Sequence, residues 1–221
     1  SHSVFNSLKC FLNGIYFFVN HNKVFITISI SCFVFKNQHI SIFCEVLLFN
    51  GLKNEVGVFN DSKFVILDTE FLKTLDNENI LSGYAEMLKH GLISNDGMWA
   101  QLVNFEISNP DFGLLQNMVA DSVAVKKNIV KKDPYEKGIR KALNLGHTFG
   151  HAFESWSLKR KPILHGYAVA YGLICELYMS SVKAGFPTDK MRQTVNFIVE
   201  NYGRLGITCD DYEELIELMT H

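Results

Sequence analysis

Arg140, Asn144, His147 and His151 stand at offsets of 0, 4, 7 and 11. On one helix those offsets fall along a single stripe. A stripe that could have been apolar core is filled with donors and imidazoles instead. With His165 close behind, three of the chain's eight histidines lie within 19 positions. A neutral imidazole nitrogen is a good zinc ligand, and an arginine guanidinium grips carboxylate or phosphate in a fork. The combination predicts a metal site facing an anionic substrate. Thr148 follows His147, so the pattern is not the His-Glu-x-x-His of zinc proteases. Taken singly, each histidine reads more readily as a packed or surface residue than as a ligand, and Asn144 can be read as a helix cap. Lys89 follows Glu86 by three positions, the spacing of an ordinary helix ion pair.

The elements that must position these groups are helical. Residues 81–93, 97–108, 113–131, 147–157, 165–184, 189–202 and 212–219 read as helices, with Asn109-Pro110-Asp111 punctuating the second and third. Asp210 or Asp211 is placed to cap the last. Lys63-Phe64-Val65-Ile66-Leu67 is short, rich in β-formers and closed by Asp68, which predicts a buried strand. The expected class is mainly α, with a helical domain over 81–221.

The N-terminal stretch is a different text. Residues 1–48 contain no Ala, Asp, Arg, Pro or Trp, one glycine (Gly14), eight Phe and three of the five cysteines. Phe25 to Ser31 alternates well enough for a strand, yet almost no turn chemistry separates such strands. From about Phe49 the composition becomes ordinary. The break suggests an atypical segment over 1–48, an out-of-frame translation or a diverged remnant.

At 221 residues the chain is long enough for one large domain or two small ones, and 48% hydrophobic residues suffice for a core. A net charge of -2 points to neither nucleic acid nor an anionic membrane. The cysteines, Cys10, Cys32, Cys44, Cys175 and Cys209, are odd in number and form no Cys-x-x-Cys pair, which argues against a disulfide framework. The apolar run Val24 to Phe35 is too short to span a membrane and lacks the marks of a signal peptide. A cytoplasmic location is expected.

Three motifs occur in order: Ser82-Gly83-x-Ala85-Glu86-x-x-Lys89, then Gly138-x-Arg140-x-x-Leu143-Asn144-x-Gly146-His147-Thr148-x-Gly150-His151-Ala152, then His165-Gly166. With these the chain resembles 3-dehydroquinate synthase from about Asn50 to its last residue. The resemblance implies a helical C-terminal domain of a two-domain α/β + α fold, with residues 49–80 a remnant of the NAD-binding domain. It implies zinc, or cobalt in its place, on Glu86, His147 and His165, in keeping with three protein ligands and one open position. His151 would contact substrate and assist proton transfer. Lys89, Lys126, Arg140 and Asn144 would hold the substrate, Lys126 alone being selected from the lysines at 126–132. Lys53 and Asn54, with Phe71, Leu72, Lys73 and Thr74, match stretches that touch NAD; by pattern alone they would be a loop and a helix start.

The implied reaction converts 3-deoxy-D-arabino-heptulosonate 7-phosphate to 3-dehydroquinate and phosphate, in the shikimate pathway that leads to chorismate and the aromatic amino acids. NAD transiently oxidises a substrate alcohol and zinc polarises it. The expected partner is a sugar phosphate, with a homodimer open. Three features depart from the family. Residues 1–48 offer no glycine-rich loop for the NAD pyrophosphate, and relatives continue past His221, so truncation at both ends is expected and activity of this chain alone is not. Many relatives also read His-Gly-Glu where Tyr167 follows Gly166, which predicts loss of a carboxylate behind the last ligand. The rivals are another sugar-phosphate cyclase and a non-catalytic helical fragment.

Overall fold

The computed structural model describes the backbone of Ile26–Thr27, Val46–Phe49 and Leu52–Val56 and, apart from the side chain of Phe71, residues 69–220. The chain divides into two units, residues 1–79 and 80–221. In the first, β1 (Ile26–Thr27), β2 (Val46–Phe49) and β3 (Leu52–Val56) pair antiparallel in that order. Ile26 lies opposite Leu47 and Phe49 opposite Leu52, with an irregularity in register between Leu47 and Leu48. β-Branched and large apolar residues dominate β1 and β2, as a pleated ladder favours. Lys53 and Asn54 fall within β3, not in the loop that pattern alone suggests, because Lys53 pairs with Leu48. The strand expected over 63–67 lies outside the described residues. Thr69–Thr74 is a 3-10 helix in which Lys73 pairs with Glu70 at 2.7 Å.

Seven α-helices follow. α1 (Asn77–Ser94) starts where the Asp76 carboxylate accepts the Asn79 N–H at 2.8 Å. Its residues 82–91 are all buried, polar ones included. α2 (Asp96–Val103) is capped by Asn95 and stops short of the expected 108. Phe105 and Ile107 are buried in non-helical chain, so apolar periodicity overran the helix. α3 (Phe112–Lys132) is capped by Asp111, which accepts from Gly113 and Leu114 N–H. α4 (His147–Leu158), α5 (His165–Ala184), α6 (Thr188–Tyr202) and α7 (Tyr212–Thr220) complete the unit. Thr208 and Asp211 form a capping box before α7.

α5 is central, packing against α4 on one side and α6 on another, while α7 covers α4. Tyr84, Leu88, Leu102, Leu115, Leu173, Leu177 and Ile198 form the core. Three polar groups among them are satisfied: Tyr84 OH donates to Leu102 O, Tyr202 OH to Leu81 O and Trp99 Nε1 to Thr194 Oγ1, each within 2.9 Å.

One expectation is corrected here. Arg140 and Asn144 do not share a helix with His147. Ile139–Asn144 is a 3-10 turn, Leu145 is extended, and Gly146 takes φ +82 before α4 begins. That left-handed backbone suits glycine, and it breaks the single stripe running from Arg140 to His151. Among the described residues no helix is long and apolar enough to cross a membrane.

Candidate metal centre

Three helices bring together groups far apart in sequence. Glu86 comes from the buried middle of α1, His147 from the first position of α4, and His165 from the first position of α5. The start of α4 has no side-chain cap of its own. Instead Glu176 of α5 accepts Gly146 N at 2.8 Å and Thr148 N at 3.1 Å, satisfying orphan donors and placing a negative charge at the positive end of the helix. Close backbone approach fixes α4 and α5. A Cβ on Gly172 would lie 2.0 Å from Gly146 O, and one on Gly166 would lie 1.8 Å from Ser82 O. Gly166 N also donates to Ser82 Oγ at 3.1 Å, which ties the start of α5 to α1.

Glu86 is 1% exposed. Its Oε2 pairs with Lys89 Nζ. Its Oε1 has no hydrogen-bond donor, yet lies 3.4 Å from His147 Nε2 and 3.6 Å from His165 Nε2. A buried carboxylate oxygen without a donor is costly. Ligand atoms at about 2.1 Å around a tetrahedral zinc stand roughly 3.4 Å apart, so these separations suit a shared ion. The donor atoms of all three residues lie within 4.8 Å of one another. The set therefore fits zinc in its chemistry and its spacing. Burial works to raise the Glu86 pKa, but the His147 and His165 imidazoles and the Lys89 ammonium outweigh it and hold the carboxyl well below its ordinary range. Burial works to lower the His165 pKa, but Glu154 and Glu86 outweigh it and push it up to about 9.

His151, one turn along α4, brings its ring within 5.3 Å of His147 and 5.8 Å of His165. Lys89 is buried beside Glu86. Lys126 of α3 is exposed, within electrostatic reach of His90. Arg140 and Asn144 are engaged by the loop before them: Arg140 Nη1 donates to Pro134 O and Asn144 Nδ2 to Glu136 Oε1, both at 2.7 Å. Asp133 organises that loop by accepting from the N–H groups of Lys137, Gly138 and Arg140. Of the residues matched to NAD, Lys53 and Asn54 lie on β3, Leu72, Lys73 and Thr74 in the 3-10 helix, and the Phe71 side chain outside the described residues.

Sequence reasoning missed three residues around the centre. Glu154 contacts His165 Nδ1 at 3.0 Å; its only signal was a place three residues after His151. Glu176 carried no signal, since its partners lie on another helix. His90 is buried with Nδ1 2.6 Å from Ser122 Oγ. An open apolar hollow of about 460 Å³, lined by Phe149, Cys175, Tyr178 and Met191 among others, shares no residue with the metal cluster.

Solved structures share this architecture. A 2-deoxy-scyllo-inosose synthase complexed with carbaglucose-6-phosphate, NAD+ and Co2+ matches with TM-score 0.65 at 23% identity, over 79% of this chain and 49% of that one. The 2-epi-5-epi-valiolone synthase of Streptomyces hygroscopicus subsp. jinggangensis 5008, with NAD+ and Zn2+ bound, matches with TM-score 0.62 at 20% identity, over 76% and 49%. The chain thus shares the fold of about half of each of these two synthases. Sequence narrows the class: the family described as 3-dehydroquinate synthase C-terminal matches residues 83–221, and the chain belongs to it. It is 56% identical to the 3-dehydroquinate synthase of Parabacteroides distasonis over 174 residues, 78% of this chain and 49% of that protein. It is 39% identical to that of Saccharolobus solfataricus over 158 residues, 70% and 44%. The chain spans about half the length of the curated relatives it matches.

Proposed function

We propose that the chain serves 3-dehydroquinate synthesis, with residues 81–221 as the metal- and substrate-binding domain and residues 49–80 as part of the NAD-binding domain. The observation that carries this is the buried Glu86 Oε1, without a donor and facing two imidazole nitrogens at the spacing of a tetrahedral ion. The 56% identity to a 3-dehydroquinate synthase favours that substrate over those of the cyclases matched at 20–23%.

Glu86, His147 and His165 would hold zinc, or cobalt. Bound there, zinc would supply Lewis acidity toward a substrate alcohol, and NAD a reversible hydride acceptor. The chain's own groups do the rest. Lys89 neutralises Glu86 and offers further donors to an anionic substrate. His151 lies beside both histidine ligands and is exposed, as a group that exchanges protons with substrate must be. Arg140, Asn144 and Lys126 would grip the phosphate, carboxylate and hydroxyls once substrate competes for the loop contacts that now engage Arg140 and Asn144. Lys53, Asn54 and Phe71 to Thr74 would contact NAD.

The test is phosphate release from 3-deoxy-D-arabino-heptulosonate 7-phosphate with zinc and NAD supplied, beside a His147→Ala control. Release that disappears in the control supports the reading. Zinc-dependent release from a different sugar phosphate, with none from the heptulosonate, would assign the chain to another cyclase. Absence of release from any sugar phosphate by the folded chain would favour a non-catalytic role.

A further inference from the structure

The residue after Gly166 is Tyr167, whose ring packs edge-on against Tyr202 at 5.0 Å and offers no carboxylate to the site. A ligating histidine nearly always donates its other ring N–H to an acceptor, which fixes tautomer and ring orientation. On His165 that acceptor is supplied from elsewhere. Glu154 Oε2 lies 3.0 Å from His165 Nδ1, while His165 Nε2 faces Glu86 Oε1.

We infer that Glu154 is the positioning residue for the third metal ligand: its carboxylate accepts the His165 Nδ1–H and so presents the Nε2 lone pair to the ion shared with Glu86 and His147. The inference rests on the metal reading above.

Three observations support it. Glu154 follows His147 by seven positions and His151 by three, so α4 carries both a ligand and the brace for another ligand on one face. The brace is anchored: the neighbouring Ala152, Phe153 and Trp156 are buried in the helical unit. The loop that delivers His165 is tied to the same turn of α4. Ser157 Oγ donates to Glu154 O at 2.7 Å and accepts from Ile163 N at 3.2 Å. The carboxylate and the histidine it braces are therefore held by one local network, although 11 positions separate them in sequence.

The test is zinc affinity of the full chain by competition with a chromophoric chelator, for wild type, Glu154→Gln and Glu154→Ala, with the visible spectrum of the Co2+-loaded forms alongside. Glu154→Ala is expected to bind zinc roughly 10- to 100-fold more weakly and to shift the Co2+ bands. Glu154→Gln, which keeps an acceptor and the shape of the side chain, should recover part of that loss and guards against a misfolded alanine variant. Equal affinity and identical spectra in all three would overturn the inference while leaving the triad standing. Two ions per wild-type chain, falling to one in Glu154→Ala, would also overturn it, because His151, Glu154 and His165 also lie close enough to share an ion. If the wild type binds no zinc, the metal reading falls and this inference with it.

Discussion

At the scale of single residues, the centre is a problem of buried charge. Glu86 and Lys89 compensate each other away from water, and the second Glu86 oxygen faces only imidazoles. Glu86→Gln removes the anionic ligand and leaves the Lys89 ammonium without its counter-ion. Zinc should no longer bind in a chelator competition, and the metal-free chain should lose about 3–5 kcal/mol in denaturant unfolding. Unchanged stability would mean that Lys89 finds another partner. His90 gives a second, independent test. Burial, then Lys89, with Lys126 and His147 adding, pushes its pKa down to about 3, while Glu86 opposes them. The folded value lies below the ordinary 6.5, so between the two the unfolded chain takes up a proton that the folded chain refuses. Stability should fall as pH drops below 6.5 and be indifferent to His90 above it. Between pH 7 and 5.5 the loss from this group is about 1 kcal/mol, and it should disappear in His90→Gln when urea unfolding is compared at both pH values. Parallel losses in the two proteins would contradict the assignment. Motif order pointed to Glu86, His147 and His165, and the structure brings them together. Glu154 escaped because spacing along α4 does not reveal which side the 159–164 loop returns on.

At the scale of elements, the site depends on where α4 begins. Gly146 turns the chain at φ +82, Glu176 caps the exposed N–H groups, and Gly172 lets α5 pass against the Gly146 carbonyl. Gly172→Ala forces a Cβ into backbone that has no flexible end to yield. It should cost about 3 kcal/mol or more and weaken zinc binding, whereas Gly206→Ala, with nothing near its Cβ, should stay within about 0.5 kcal/mol. Thermal unfolding of both variants, with and without zinc, checks this; similar midpoints would show that the α4–α5 contact does not position His147. Helix existence was largely legible. The span read over 165–184 matches α5, which runs from His165 to Ala184, where Gly185 reverses the chain at φ +71. Two boundaries were not. Phe105 and Ile107 kept helical periodicity while packing from irregular chain, and the apparent stripe from Arg140 to His151 hid a turn at Gly146 because residue spacing is silent about dihedral angle.

At the scale of the whole molecule, the helical unit gathers the three candidate metal ligands from the starts of two helices and the middle of a third, all converging where α1, α4 and α5 meet. Such a site is built from rigid elements, which suits chemistry that depends on fixed distances. Net charge gives no sign of it, since -2 over the chain averages away a local cluster of histidines and lysines. What the sequence conveyed about the whole came through three motifs in order. What it could not convey was the long-range pairing, such as Ser82 with Gly166 or Glu176 with Gly146, because a motif does not say which distant residue its members touch. The most direct measurement is anomalous diffraction at the zinc edge from crystals of the zinc-loaded chain. The account predicts one peak about 2.0–2.2 Å from Glu86 Oε1, His147 Nε2 and His165 Nε2, with Glu154 touching His165 and not the ion. A peak held by other residues, or no peak from a zinc-saturated crystal, would contradict it.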